Sequence, residues 1–166
     1  MNMSGTILYI SDDNASTGFR PATLEEVMAG ARQALSARVR KGTALTSPQQ
    51  TRDFLMARLA EREYETFTVI HLDNRHRLIA CQDLFRGTID GASVHPREVV
   101  KEALRHNAAA VILAHNHPSG GAEPSRADEL ITRRLREALA LVDIRILDHV
   151  IVAGGETLSF ADKGLI

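Results

Sequence analysis

The sequence predicts an α/β (α+β) protein built on one mixed sheet flanked by helices. Three observations point there. Helix-like and strand-like patterns alternate along the chain with few long gaps. The run "AAAVILA" at residues 108–114 is wholly apolar and short, the mark of a strand buried on both faces. And 44% of the 166 residues are hydrophobic, enough for one domain with a sizeable core.

Residues 1–45 read as an N-terminal appendage and 46–166 as the main domain. In the appendage, "TILYIS" predicts a short strand. "TLEEVMAGARQALSARVRKG" predicts a helix, since Leu24, Val27, Met28, Ala31, Leu35 and Val39 recur at three- and four-residue steps, the pattern of a covered face. Arg20, Arg32, Arg38, Arg40 and Lys41 outnumber Glu25 and Glu26 there, which reads as a solvated surface with cations well placed near a helix C-terminus, the alternative being a patch that meets an acidic partner. "GTALTSP" reads as a linker. Ser47, Pro48 and Gln50 then form a helix-start signal, with the amide at N3 reaching back, and that helix should run to about Glu63.

"ETFTVIHLD" and "HRLIACQDLF" predict two strands joined by a tight turn, followed by the loop "GTIDGASV" and the helix "HPREVVKEALRHN" with proline near its start. After the buried strand at 108–114 come a polar loop, the helix "SRADELITRRLREALAL", the strand "IRILDHVIVA", a "GG" turn and the short strand "TLSF". No internal repeat is visible.

Composition excludes several classes. Twenty Lys and Arg against 21 Asp and Glu give a formal net charge of −1, so there is no global basic field, and no nucleic-acid binding is expected through the core domain. Cys81 is the single cysteine, which rules out an internal disulfide and a cysteine-built zinc ribbon. The N-terminal residues lack a secretory pattern and no segment approaches eighteen apolar residues, so no membrane association is expected and the cytoplasm is the simplest address.

The polar chemistry is concentrated in "LAHNHPSGGAEPSRADELI", residues 113–131. His115 and His117 fall where the buried strand emerges, and alternation sends both side chains to one side, close enough to share an ion. Asp128, in the first turn of the next helix, is the candidate third ligand, with Gly120 and Gly121 able to fold the loop back. Two imidazoles and a carboxylate suit zinc. Ser125 and Asp128 equally match a helix capping box, and the two roles are compatible. The letters "HNH" also name a nuclease class, but no paired-cysteine scaffold or ββα pattern accompanies them.

"HNHPSGGAEPSRAD" matches His-x-His-Pro-x7-Ser-x-x-Asp, and in it the chain resembles the JAMM/MPN zinc metalloproteases. Over about Leu45 to Ile166, through "YETFTVIHLD", "LFRGTIDGASVHPREVVKEAL", "AAAVILAHNHPSG" and "LDHVIV", it is similar to the RadC family, the bacterial branch of that fold. The resemblance implies a single JAMM/MPN-like domain in which His115, His117 and Asp128 hold Zn2+ with a water in the fourth position, Glu65 is the general base and Ser125 binds the oxyanion. Glu61 and Glu63 are rivals to Glu65 by position; the resemblance aligns Glu65 with the strand start. Longer RadC proteins carry helix-hairpin-helix elements, and residues 1–45 show no Gly-rich hairpin of that kind. Asp148 and His149 are similar to the family's residues and read as structural, with the orientation of a metal ligand as the alternative; His71, His76, His95 and His106 read as surface or helix-end residues.

Two functions follow. One is a zinc-dependent peptidase or isopeptidase acting on a peptide or protein substrate. The other is a non-catalytic or DNA-repair-associated accessory protein of the family.

Overall fold

The computed structural model describes residues 8–38, 41–45, 47–87 and 94–166, without the side chains of residues 32 and 35–38. A two-stranded hairpin, β1 (Tyr9–Ser11) and β2 (Phe19–Pro21), precedes α1 (Leu24–Arg38) and α2 (Pro48–Leu59). Then come β3 (Thr66–Leu72), β4 (Leu78–Arg86), α3 (Pro96–Arg105), β5 (Ala110–Asn116), α4 (Arg126–Ala140), β6 (Arg145–Ala153) and β7 (Glu156–Ser159). The last five strands form one sheet in the order β4-β3-β5-β6-β7. It is mixed: β5 and β6 run parallel, joined through α4, and the other pairs are antiparallel.

β5 holds the centre, and all seven of its residues are buried. On one face Ile112 and Ala114 pack with Ile70, Leu72, Val150 and Val152 beneath Phe54, Leu55 and Leu59 of α2. On the other, Val111 and Leu113 pack with Phe67 and Val69 beneath Val99 and Ala103 of α3 and Leu135 and Leu139 of α4. β6 carries an irregularity: Val111 pairs with Ile146 but Ile112 pairs with Asp148, so Leu147 is an extra residue. Ile146 therefore faces the α3/α4 side and Leu147 the α2 side, and His149, opposite Leu113, returns to the α3/α4 side.

The main-domain elements lie where patterning predicts them, with shifts at the ends. α2 stops at Leu59, short of Glu63, and Ser47 Oγ accepts from the Gln50 N–H at 3.4 Å. The expected linker is docked instead of free: Leu78 N–H donates to Thr43 O, Leu45 N–H donates to His76 O, and Leu45 itself is buried in the core.

The first helix departs from expectation. Among its described apolar positions Leu24 is 78% exposed and Met28 38%, Val27 is half-buried, and Met28 and Ala31 border an open cleft of about 460 Å³ against Met56, Ala57 and Ala60 of α2. Val39, and the side chain of Leu35, lie outside the described residues. Of the basic residues, Arg20 is engaged by Glu26 at 2.9 Å and Asp12 at 3.1 Å; Arg40 and the side chains of Arg32 and Arg38 lie outside the described residues. β2 is not legible in the sequence because Phe19–Pro21 has too few residues to show alternation.

His71 is a second correction. Instead of lying at the surface it is fully buried on β3; among the described residues neither ring nitrogen has a hydrogen-bond partner, and its ring is 4.7 Å from that of His106. Periodicity hides this, because every residue of β3 is buried and none of its positions is solvent-facing. Burial, assisted by the neighbouring His106, holds the imidazole down at about 4 against an ordinary 6.5. The folded state thus favours neutral His71, so its contribution is intact above pH 6.5 and is lost as pH falls toward 4. The full difference is roughly 3 kcal/mol. His71→Leu should accordingly flatten the fall in urea-denaturation stability between pH 7 and pH 4; an unchanged slope would show that His71 protonation does not drive it.

Candidate metal centre

The C-terminal end of β5 delivers the site. His115 is paired with Phe67 of β3 and Ile151 of β6, and the His117 N–H bonds to Val152 O at 2.9 Å, so both histidine backbones are fixed by a neighbouring strand. Gly120, at φ +89, turns the loop in a conformation that an L side chain rarely adopts, and the Gly121 carbonyl comes to lie 2.7 Å from His117 Nδ1. Ser125 then caps α4: its Oγ accepts from the Asp128 N–H at 3.1 Å, while the Asp128 carboxylate accepts from the Ser125 N–H at 2.8 Å and from the Ser125 hydroxyl at 2.6 Å. The capping box and the cluster therefore share one carboxylate.

The structure brings His115, His117 and Asp128 together, with one donor atom from each inside a 4.8 Å span. His115 Nε2 is 2.9 Å from His117 Nε2 and 3.2 Å from Asp128 Oδ1, and His117 Nε2 is 3.5 Å from Asp128 Oδ2. Two donors at zinc-ligand bond lengths and tetrahedral angles stand about 3.3 Å apart. The two imidazoles lie near this spacing, and each approaches a different oxygen of the one carboxylate.

Their chemistry fits as well. A carbonyl only accepts, so His117 Nδ1 carries the proton toward Gly121 and a neutral ring leaves Nε2 bare. Lone pairs facing one another at these distances need a shared proton or a cation between them. Asp128 supplies the countercharge: burial pushes its carboxyl up, but the hydrogen bonds that His115 and His117 donate to it when a proton occupies their Nε2 atoms outweigh this and hold it far below the ordinary carboxylate range. In return, the hydrogen bond to Asp128 raises the His117 imidazole against the effect of burial, with further help from the Gly121 carbonyl and the charges of Asp128 and Glu65.

Glu65 stands directly before β3, half-buried, whereas Glu61 and Glu63 are exposed. What fixes this segment is Asn116, whose side chain alternates to the opposite face from the histidines. Its Oδ1 accepts from the Thr66 N–H at 2.8 Å, and its Nδ2 donates to Tyr64 O at 3.1 Å and Arg62 O at 3.4 Å. The Gly87 N–H adds a bond to Glu65 O at 2.8 Å. Sequence reading passes over Asn116, although an amide inside a wholly buried strand is itself a signal. It also passes over Thr132, one helical turn beyond Asp128, and prefers a structural reading for His149; His149 lies 2.8 Å from His115, and Thr132 lies 2.6 Å from His149. The loop "GTIDGASV" falls almost wholly outside the described residues, at 88–93.

A mixed α/β sheet whose central strand presents two histidines to an aspartate at the next helix start defines a JAB-type domain with a possible metal site. The RadC-like JAB domain model matches residues 45–165. The chain belongs to the RadC family. A UPF0758 protein of Nitrosococcus oceani is 67% identical over 135 residues, 81% of this chain and 60% of that protein. One from Thioalkalivibrio sulfidiphilus is 65% identical over 145 residues, 87% of this chain and 65% of that protein. The chain thus spans less than two thirds of these relatives' length, and their names state no activity. Among the described residues no helix is long and apolar enough to cross a membrane.

Replacing Asn116 by Ala would strand the buried Thr66 N–H, a loss of about 2 kcal/mol. Urea denaturation of the variant measures this, and a wild-type midpoint would remove the clamp from the account. Elemental analysis should find about one metal ion per chain, lost in the His115→Ala/His117→Ala double variant; a full complement in that variant would place the metal elsewhere.

Proposed function

We propose that the protein is a zinc-dependent metallohydrolase, a peptidase or isopeptidase acting on a peptide or protein substrate in the cytoplasm. The observation that carries this reading is the convergence of three donors, two of them imidazoles, at the end of the central strand, with a half-buried glutamate directly before β3 whose charge acts on His117. His115, His117 and Asp128 would hold the ion. Bound there, zinc supplies Lewis acidity, bringing the pKa of a water to about 7.

The chain's own groups do the rest. Glu65 receives a proton from the attacking water and passes it to the leaving amine, a task for a carboxylate kept close to the reacting atoms without being a ligand. Its segment is tied down on both flanks by Asn116, which limits the entropy lost in bringing it to bear. The Ser125 hydroxyl, which donates to Asp128 at 2.6 Å, would turn to the oxyanion of the tetrahedral intermediate while the Ser125 N–H keeps its own bond to Asp128. Three ligands, a base and an oxyanion donor form a set that an accessory scaffold has no chemical need for.

Metal content and activity should separate in one variant and move together in another. Glu65→Gln should retain zinc and the fold and lose on the order of a hundredfold in rate on whichever peptide or isopeptide substrate a screen returns. Asp128→Ala should lose zinc and activity together and, lacking the capping carboxylate, melt at a lower temperature. Equal rates for wild type and Glu65→Gln would remove Glu65 from the mechanism and return Glu61 and Glu63 to consideration. A zinc-loaded wild type inert toward every substrate would favour the accessory role.

A further inference from the structure

Below the three donors lies a chain of buried side chains that the reaction does not use. His149 is fully buried on β6 and engaged at both ring nitrogens: Nε2 lies 2.8 Å from His115 Nδ1, and Nδ1 lies 2.6 Å from Thr132 Oγ1. Thr132, 2% exposed on α4, is in turn 2.6 Å from the backbone carbonyl of Asp128. Phe67 and Phe160 wall the His149 ring at 5.6 and 4.7 Å, and Phe67 lies nearly parallel to His115 at 13°. These walls offer neither ring another hydrogen-bond partner.

The protons along this chain can be placed from its fixed end. The Asp128 carbonyl can only accept, so the single hydroxyl proton of Thr132 points to it. Thr132 Oγ1 must then accept from His149, which puts the proton on Nδ1 and leaves Nε2 of a neutral ring as an acceptor. His115 must therefore donate through Nδ1, and its own lone pair falls on Nε2, the atom that faces His117 and Asp128. Reversing the chain would put a proton on that nitrogen and close it to a cation.

We propose that Thr132 and His149 are positioning residues for the metal centre: anchored on the Asp128 carbonyl, they lock His115 in the tautomer whose Nε2 is open to the ion. The wire joins two of the three proposed ligands, since it starts at the backbone of Asp128 and ends at the ring of His115. The acceptor that meets His115 is an uncharged imidazole where a carboxylate is a common partner of ligand histidines. The three donors consequently carry a single negative charge among them, with none added from beneath. The proposal rests on His115 being a metal ligand.

The test uses the full chain, with zinc alone as probe, in five forms: wild type, His115→Ala, Thr132→Val, His149→Gln and His149→Leu. Thr132→Val removes the hydroxyl at nearly constant volume. His149→Gln keeps an amide that can still accept from His115, whereas His149→Leu offers no acceptor. Zinc affinity is measured by chelator competition, and the His115 tautomer in the metal-free protein by long-range 15N–1H correlation. The expected results are a dissociation constant about tenfold or more higher in Thr132→Val and His149→Leu, partial recovery in His149→Gln, and a mixture of His115 tautomers in Thr132→Val. Wild-type affinity and a single tautomer in Thr132→Val and His149→Leu, with His115→Ala still deficient, would overturn the wire and leave the metal site standing. Equal losses in His149→Gln and His149→Leu would assign the effect to packing and overturn it too. If His115→Ala itself binds zinc as wild type does, the metal reading fails and the wire with it.

Discussion

A strand buried on both faces can satisfy its backbone only by pairing along both edges, and β5 does so against β3 and β6 at once. Everything at the site hangs from that double pairing. Because neighbouring strands hold both its edges, successive side chains at its end are sent to opposite faces with little freedom: His115 toward α4, Asn116 toward the segment that follows α2. The same three-residue stretch thereby supplies two candidate ligands and the clamp for the candidate base. A more exposed strand could fray at its end; this one cannot do so without unpairing β3 or β6.

Sharing runs through the site's electrostatics as well. Asp128 caps α4, accepts from Ser125 and faces both histidines. A single carboxylate thus answers to helix stability and to ligand charge, and a substitution there has two costs that no assay of either property alone can separate. Asp148, also an aspartate, behaves differently: it accepts from the His149 and Ala161 N–H groups and from the Ser159 hydroxyl, and so serves the turn that follows β7.

How much of this the sequence shows depends on whether the controlling contact is local. The β5 run, the His115/His117 spacing and the Ser125/Asp128 capping box are set by residues a few positions apart, and all are legible. Glu65 could be singled out from Glu61 and Glu63 only by resemblance, because its surroundings depend on Asn116, about fifty residues away. The exposed Leu24 and Met28 on α1 and the buried His71 fail for a common reason: periodicity reports which residues could be covered, and the partner that covers them, or does not, lies elsewhere in the chain. Thr132 and His149 meet across α4 and β6, a contact no local pattern encodes.

The extra residue at Leu147 has a consequence for how the chain can change length. Simple alternation from Ile146 would turn Asp148 to the metal side and His149 away from it; the bulge reverses that phase. The strand therefore tolerates loss of one residue between Ile146 and His149, since closing the bulge leaves Ile146 and His149 on the sides they already occupy. Loss of one residue farther along, between Val150 and Ala153, would turn over whatever follows it and push apolar side chains across the sheet. Deletions in β6 are thus partitioned by a single position: on one side a strand that shortens and keeps its facing, on the other a sheet that must repack.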